Sequence, residues 1–388
     1  MQQFDSKKMA GTAIAALTVG GIGGGPLFAQ EVISLSEPTA AYSEPFSLIS
    51  GLRELPDGRL LVTDAIDASL YVLDADLGNA RKLAREGQGP DEYRQPDALN
   101  PWPGDSTLMT DLGNGRMTVI GPEFGFARTI PVVQQEAMGL QIILPQGVDA
   151  SGYVYYQPRG DGIIRDTAEV VKWSPEAGGD PTPVARIKLS DVTEKTSGSG
   201  GNIQQEVRQV PLSAMDGWAV AADGRLAVVR AGDYHVDWVG QDGSLVSGAP
   251  VSYEPVPVRT ADKEAWVERM SSRGVMMMVT NNNGNLNARM RRGGGRGVPD
   301  IDSYQWPETK PAFDAGSVRV DPDGHVWVGR YVSAGDPPVM DVFDETGARV
   351  AVVELPDGRE VVGFGPASVY LARADDLGFM WLERFDRP

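Results

Sequence analysis

Apolar residues in this chain come in short contiguous runs, and a tight-turn signal precedes each run. Leu60-Leu61-Val62 follows Pro56-Asp57-Gly58, Leu108-Met109 follows Pro103-Gly104-Asp105, and Val154-Tyr155-Tyr156 follows Ser151-Gly152. Further along, Leu226 to Val229 follows Asp223-Gly224, Val326-Trp327-Val328 follows Asp323-Gly324, and Val369-Tyr370-Leu371 follows Gly365-Pro366. A second strand-type stretch trails each of them: Leu70 to Leu73, Met117 to Ile120, Val170 to Trp173, His235 to Trp238, Met340 to Phe343 and Phe379 to Leu382. Glycine can take the positive backbone angle that a tight hairpin requires, and a run without polar alternation suits a strand covered on both faces. Equivalent positions fall at Val62, Met109, Tyr156, Val228, Val328 and Tyr370, with two of the steps lengthened by insertions. Regular recurrence of one such unit predicts an all-β chain, a six-bladed β-propeller of four-stranded antiparallel blades.

The ends of the pattern predict how the ring closes. The last unit stops at Phe385, one strand short, and Val32-Ile33-Ser34-Leu35 precedes the first complete unit. This N-terminal strand is expected to complete the last blade, because an unclosed ring leaves exposed sheet edges. Residues 30–388 then form one domain with insertions at about 188–217 and 250–310. The first insertion contains Thr196-Ser197-Gly198-Ser199-Gly200-Gly201, a flexible stretch that reads as a loop, and it carries no evident chemistry. The second predicts one helix from about Ala261 to Arg273, capped by Thr260, with Asp262 and Glu264 in its first turn.

Composition narrows the chemistry. The chain has 0 Cys, which excludes disulfides, thiolate metal sites, covalently attached haem and lipid on a cysteine. With 2 His, His235 and His325, a three-histidine metal site is impossible, and no Gly-x-Ser-x-Gly turn offers a nucleophile. Asp321 and Asp323 begin like a calcium loop, but the later ligands do not follow, so they read as turn chemistry. Met270, Met276, Met277, Met278 and Met290 read as packing or contact residues rather than copper ligands. No cofactor or metal is expected.

The first residues read as a targeting segment. Lys7 and Lys8 precede an apolar stretch from Met9 to Ile22, and Leu27-Phe28-Ala29 offers a small residue for cleavage. Residues 1–29 are expected to be a signal peptide or a retained membrane anchor, placing the ring in the periplasm or on the extracellular face of the membrane. The formal net charge is −18, and loss of Lys7, Lys8 and Asp5 would make it one unit more negative. Such a surface disfavours nucleic acid and anionic lipid. Membrane contact is expected only through the N-terminal segment or a partner.

Against this acidic background stands Arg289-Met290-Arg291-Arg292-Gly293-Gly294-Gly295-Arg296, with four arginines in eight positions. Guanidinium groups pair bidentately with carboxylate or phosphate, so Arg289, Arg291, Arg292 and Arg296, with Met290 and Trp266, are the candidate partner-binding residues. The alternative is a solvated loop held by the protein's own carboxylates. A linker adds a family resemblance. Gly87-Gln88-Gly89-Pro90-Asp91-Glu92-Tyr93, followed by Pro96, resembles the glycine-rich linker of bacterial exported six-bladed propellers of the NHL-like or TolB-like group. The resemblance implies a binding scaffold, with hydrolase and lyase members in the minority.

The expected function is a non-enzymatic interaction scaffold, an accessory subunit docked on an envelope membrane complex. Two alternatives stand beside it. One is a small-ligand or glycan binder with an aromatic cluster of Trp102, Trp218 and Trp306 at one mouth of the ring. The other is a calcium-dependent, lactonase-like hydrolase, which requires carboxylate or amide side chains to converge there.

Overall fold

The computed structural model describes residues 31–388 except 137–138, 159–164, 198–203, 274, 283–284, 293–299 and 334–335. Six sheets follow one another along the chain as the blades of a closed ring. Blade 1 comprises Ile49–Glu54, Leu60–Asp64, Ser69–Leu73 and Ala80–Lys82. Blade 2 begins at Pro96–Trp102, blade 3 at Gly147–Val148, blade 4 at Gly217–Val220, blade 5 at Arg319–Val320 and blade 6 at Arg359–Phe364. The first strands of successive blades lie beside one another, so they line the axis and the fourth strands face outward. At that convergence a side chain would collide. A Cβ on Gly51 would sit 2.7 Å from the backbone of both Asp97 and Leu99 in the next blade.

The ring has no central core. Its apolar side chains form six clusters, each shared by two adjacent blades. Second strands feed two clusters at once by the two-residue period of a strand. Leu60 and Val62 pack toward blade 6 while Leu61 packs toward blade 2. Val326 and Val328 likewise pack toward blade 4 while Trp327 packs toward blade 6. Both parities are buried, which is why these strands read as unbroken apolar runs.

Closure uses the N-terminal segment, but not the strand predicted. Ala40–Ala41 completes blade 6 antiparallel to Met380–Asp386, and Phe46 bridges to Met380 just beyond. Glu31–Ser34 instead adds a fifth, parallel strand outside Arg349–Glu354 of blade 5. The backbone N–H of Leu35 continues that pairing to Glu354 at 3.0 Å. The N-terminal segment therefore holds two blades.

Strand direction sorts the connections onto two faces. Because neighbouring strands are antiparallel, the turn after each first strand lies on one face, and the connection from each fourth strand to the next blade lies on the other. All six turn signals of the sequence fall on the first, plain face. Every inserted element falls on the second. Between blades 2 and 3 stands the hairpin Val133–Glu136 with Gly139–Ile142, and between blades 3 and 4 the hairpin Val192–Ser197 with Gln204–Gln209. Between blades 4 and 5 stand the helix α1, Thr260–Arg273, and the hairpin Val275–Asn282 with Asn285–Arg292. The first insertion thus carries a hairpin; of the stretch expected to be a loop, residues 198–201 lie outside the described residues.

Candidate binding face

Helix α1 is pinned at its start by the two ends of its own insertion. The backbone N–H of Arg259 donates to Asp262 Oδ2 at 2.8 Å, and Lys310 Nζ meets Asp262 Oδ1 at 2.7 Å, with Lys310 only 9% exposed. Burial works to raise the Asp262 carboxyl, but Lys310 and the Arg259 N–H outweigh it and hold it below the ordinary carboxylate range. Asp237 behaves alike: burial is opposed by Ser247 and Arg230, and the carboxyl ends low. A carboxylate depressed in the folded state contributes stability above its unfolded value, and that contribution is lost as pH falls through the folded value. The urea midpoint is therefore expected to hold from pH 7 to pH 5 and to drop below about pH 4. Equal midpoints at pH 7 and pH 3 would contradict this.

Farther along, the helix is held by aromatic packing. Trp266 meets Tyr304 at 5.2 Å and Trp306 at 5.6 Å between ring centroids, with Tyr304 and Trp306 6.0 Å apart, all three pairs edge-to-face. Val267 beside it is buried. The two large insertions touch, since Arg208 Nη1 donates to the carbonyl of Ser303 at 2.9 Å. The aromatic cluster of this face is therefore Trp266, Tyr304 and Trp306. Trp102 and Trp218 are buried between blades and do not join it, which corrects that part of the sequence reading.

Arg289, Arg291 and Arg292 lie on the return strand of the hairpin in the second large insertion, Asn285–Arg292. Backbone pairing sets Met278 opposite Arg289, Met277 opposite Met290, Met276 opposite Arg291 and Val275 opposite Arg292. Arg296 lies outside the described residues. This strand passes beside Leu112–Asn114 of blade 2, which carries the hairpin from the blade 4 and 5 side of the ring to the opposite side. Beside it lies the glycine-rich linker. Asn114 Nδ2 donates to the Gly87 carbonyl at 2.9 Å, and Arg116 Nη2 donates to the carbonyls of Gly89 and Glu92 at 2.9 and 2.7 Å. Glu92 in turn accepts from the Gly89 N–H at 2.7 Å. The linker's polar groups hold its own turn and tie it to blade 2.

A cavity of about 500 Å³ opens on the same face. Its lining comes from blades 5 and 6 and the two large insertions, so it sits off the axis. Arg319, Arg330 and Arg359 border it, with Asp314 and Glu360. Arg359 forks onto Glu383 at 3.0 and 3.1 Å. Arg330 Nε lies 3.8 Å from Asp341, which is fully buried and also accepts from Tyr234 Oη at 2.5 Å and Arg349 Nη1 at 3.3 Å. Burial first, and Asp341 second, push the Tyr234 phenol well above its ordinary value, so it stays protonated and donates.

The remaining candidates for chemistry are engaged elsewhere. His235 lies between Asp233 and Asp237, at 2.5 and 3.2 Å. His325 Nδ1 is 3.5 Å from Asp321, on the plain face. Asp321 caps its own turn, accepting from the N–H groups of Asp323 and His325 and from Trp327 Nε1, each at 3.0 Å. Among the described residues, no group of three or more His, Asp or Glu side chains is placed to hold a metal ion.

No family model matches this chain, and no curated protein matches it either. Solved structures do. It is similar to a member of the DUF4221 family from Bacteroides vulgatus, at 7% identity and TM-score 0.48 over 91% of this chain and 98% of the other. It is also similar to a gluconolactonase from Xanthomonas campestris, at 11% identity and TM-score 0.41 over 90% and 98%. A luciferin-regenerating enzyme aligns at 10% identity and TM-score 0.33 over 90% and 95%. Identities this low transfer no activity, and the NHL-like resemblance is not confirmed by them. The expectation of a non-enzymatic chain is withdrawn: enzymes stand among these neighbours, and likenesses this distant establish no activity for this chain in either direction. The chain is a six-bladed β-propeller whose inserted elements and cavity share one face.

Proposed function

We propose that this chain is a recognition propeller of the cell envelope, whose insert-bearing face docks on a protein partner in a membrane-bound assembly. The observation that carries the reading is the placement of every inserted element in the fourth-to-first connections, on one face, while the other face keeps only short turns. Binding residues concentrate on loops positioned by a rigid scaffold. In this reading Arg289, Arg291, Arg292 and Arg296 meet carboxylates of the partner, Met290 supplies adaptable contact, and Trp266 fixes the helix from which the hairpin springs. Export through residues 1–29 belongs to the same proposal, since it brings the ring to the envelope.

The test is the native size of the protein extracted in mild detergent from its own cells, compared with a variant in which all four arginines are alanine. Co-elution with a membrane complex that is lost in the variant, and that weakens with added salt, is the expected result. A soluble monomer of the same size in both would sink the reading.

A further inference from the structure

We propose that the cavity between blades 5 and 6 is a binding site for a small amphipathic carboxylate, an aliphatic or aryl acid whose apolar body fills the pocket and whose anion meets Arg330. At about 500 Å³ the cavity lies in the size range that holds a small organic molecule. Met215, Trp266, Phe313, Leu355 and Val361 supply an apolar wall. Such pockets bind by burying an apolar body and orienting it with a few polar groups.

Arg330 is the polar group best placed to do so. Its guanidinium is about one quarter exposed, and its ion pair with Asp341 is made by Nε at 3.8 Å. Among the described residues, neither terminal nitrogen of Arg330 has a hydrogen-bond partner. Asp341 already accepts from Tyr234 and Arg349, and no described acceptor takes up the terminal nitrogens of Arg330, which borders the cavity. Arg359, forked onto Glu383, is committed by comparison. A carboxylate matches the two terminal N–H groups of a guanidinium. Asp314 and Glu360 on the same border disfavour a dianion, which points to a singly charged acid over a phosphate ester.

The inference stands apart from the docking reading, because it uses none of the hairpin arginines. Calorimetric titration of the whole protein with decanoate, decanol and decyltrimethylammonium tests it. Decanoate is expected to bind at least tenfold tighter than the other two. Arg330→Gln is expected to weaken decanoate about 10- to 100-fold while leaving decanol unchanged. Arg330→Lys, which keeps the charge, should lose less. Leu355→Trp, which fills the pocket from its apolar wall, should abolish all binding while the thermal melt shows the ring still folded. Equal affinity for the three probes, no decanoate binding, or wild-type affinity in Arg330→Gln or in Leu355→Trp would each overturn the assignment. The four-alanine variant of the hairpin should bind decanoate as the parent does.

Discussion

Removing residues 31–46 is expected to abolish the folded monomer. Those residues supply the fourth strand of blade 6 and the fifth of blade 5, and they place Phe46, 3% exposed, in the cluster between blades 6 and 1. Phe46 lies edge-on to Tyr71 at 5.5 Å and exchanges backbone hydrogen bonds with Met380 at 2.8 and 2.7 Å. Thr39 and Tyr42 add backbone donors to Arg384 and Leu382 at 2.7 and 3.0 Å. Loss of a buried phenylalanine alone costs about 3–5 kcal/mol. A domain has about 5–15 kcal/mol in total. The deletion also bares the outer strands of two blades, a template for association. Circular dichroism melts and size-exclusion profiles of the truncated chain check this, with a synthetic peptide of residues 31–48 added to restore the melt. A truncated chain with the parent's urea midpoint would show that closure contributes little.

The second large effect is expected at Asp341. Replacing it with alanine removes the carboxylate that Arg330, Arg349 and Tyr234 share between blades 4 and 5. Breaking one side of a buried, hydrogen-bonded ion pair costs about 3–5 kcal/mol, because the charge left behind loses its compensation. Tyr234→Phe, which removes one hydroxyl donor, should cost about 1 kcal/mol. Urea unfolding followed by tryptophan fluorescence separates the two. If both variants lost the same small amount, the carboxylate would not be the organising group of this interface.

The ring was legible because its second strands announce themselves. Leu60-Leu61-Val62 and Val326-Trp327-Val328 bury both parities, and a glycine turn stands before each. The closing strand is hidden in the sequence for a related reason. Val32-Ile33-Ser34-Leu35 has the β-branched look of a strand, whereas Ala40–Ala41 is two small residues whose pairing is decided by the edge waiting for them. Local propensity could not favour it. The hairpin at Val192–Ser197 and Gln204–Gln209 is not legible in the sequence because its residues are mostly polar and carry no strand-type apolar pattern.

The site was less legible still. Arg289 to Arg292 stood out by charge contrast alone. The cavity draws its wall from Leu212 to Val361, and no local pattern links residues so far apart. Trp266 reads as a helix residue, but its packing with Tyr304 and Trp306 depends on how the chain returns after the hairpin. Trp102 and Trp218 carried the same sequence signal as Trp306, and only burial distinguishes them.

The double role of the N-terminal segment bears on the order of events during synthesis. Thr39 finds its partner, Arg384, 345 positions later, so the first described residues made must wait for the last. Until then blade 6 lacks its closing strand, and contacts so distant in sequence form slowly. A nascent chain thus passes through a long interval in which five blades can be built while the sixth cannot be finished. During that interval a foreign strand could occupy the place of Ala40 to Phe46, which makes the last blade the point where a chaperone would protect this protein and a competing peptide would trap it.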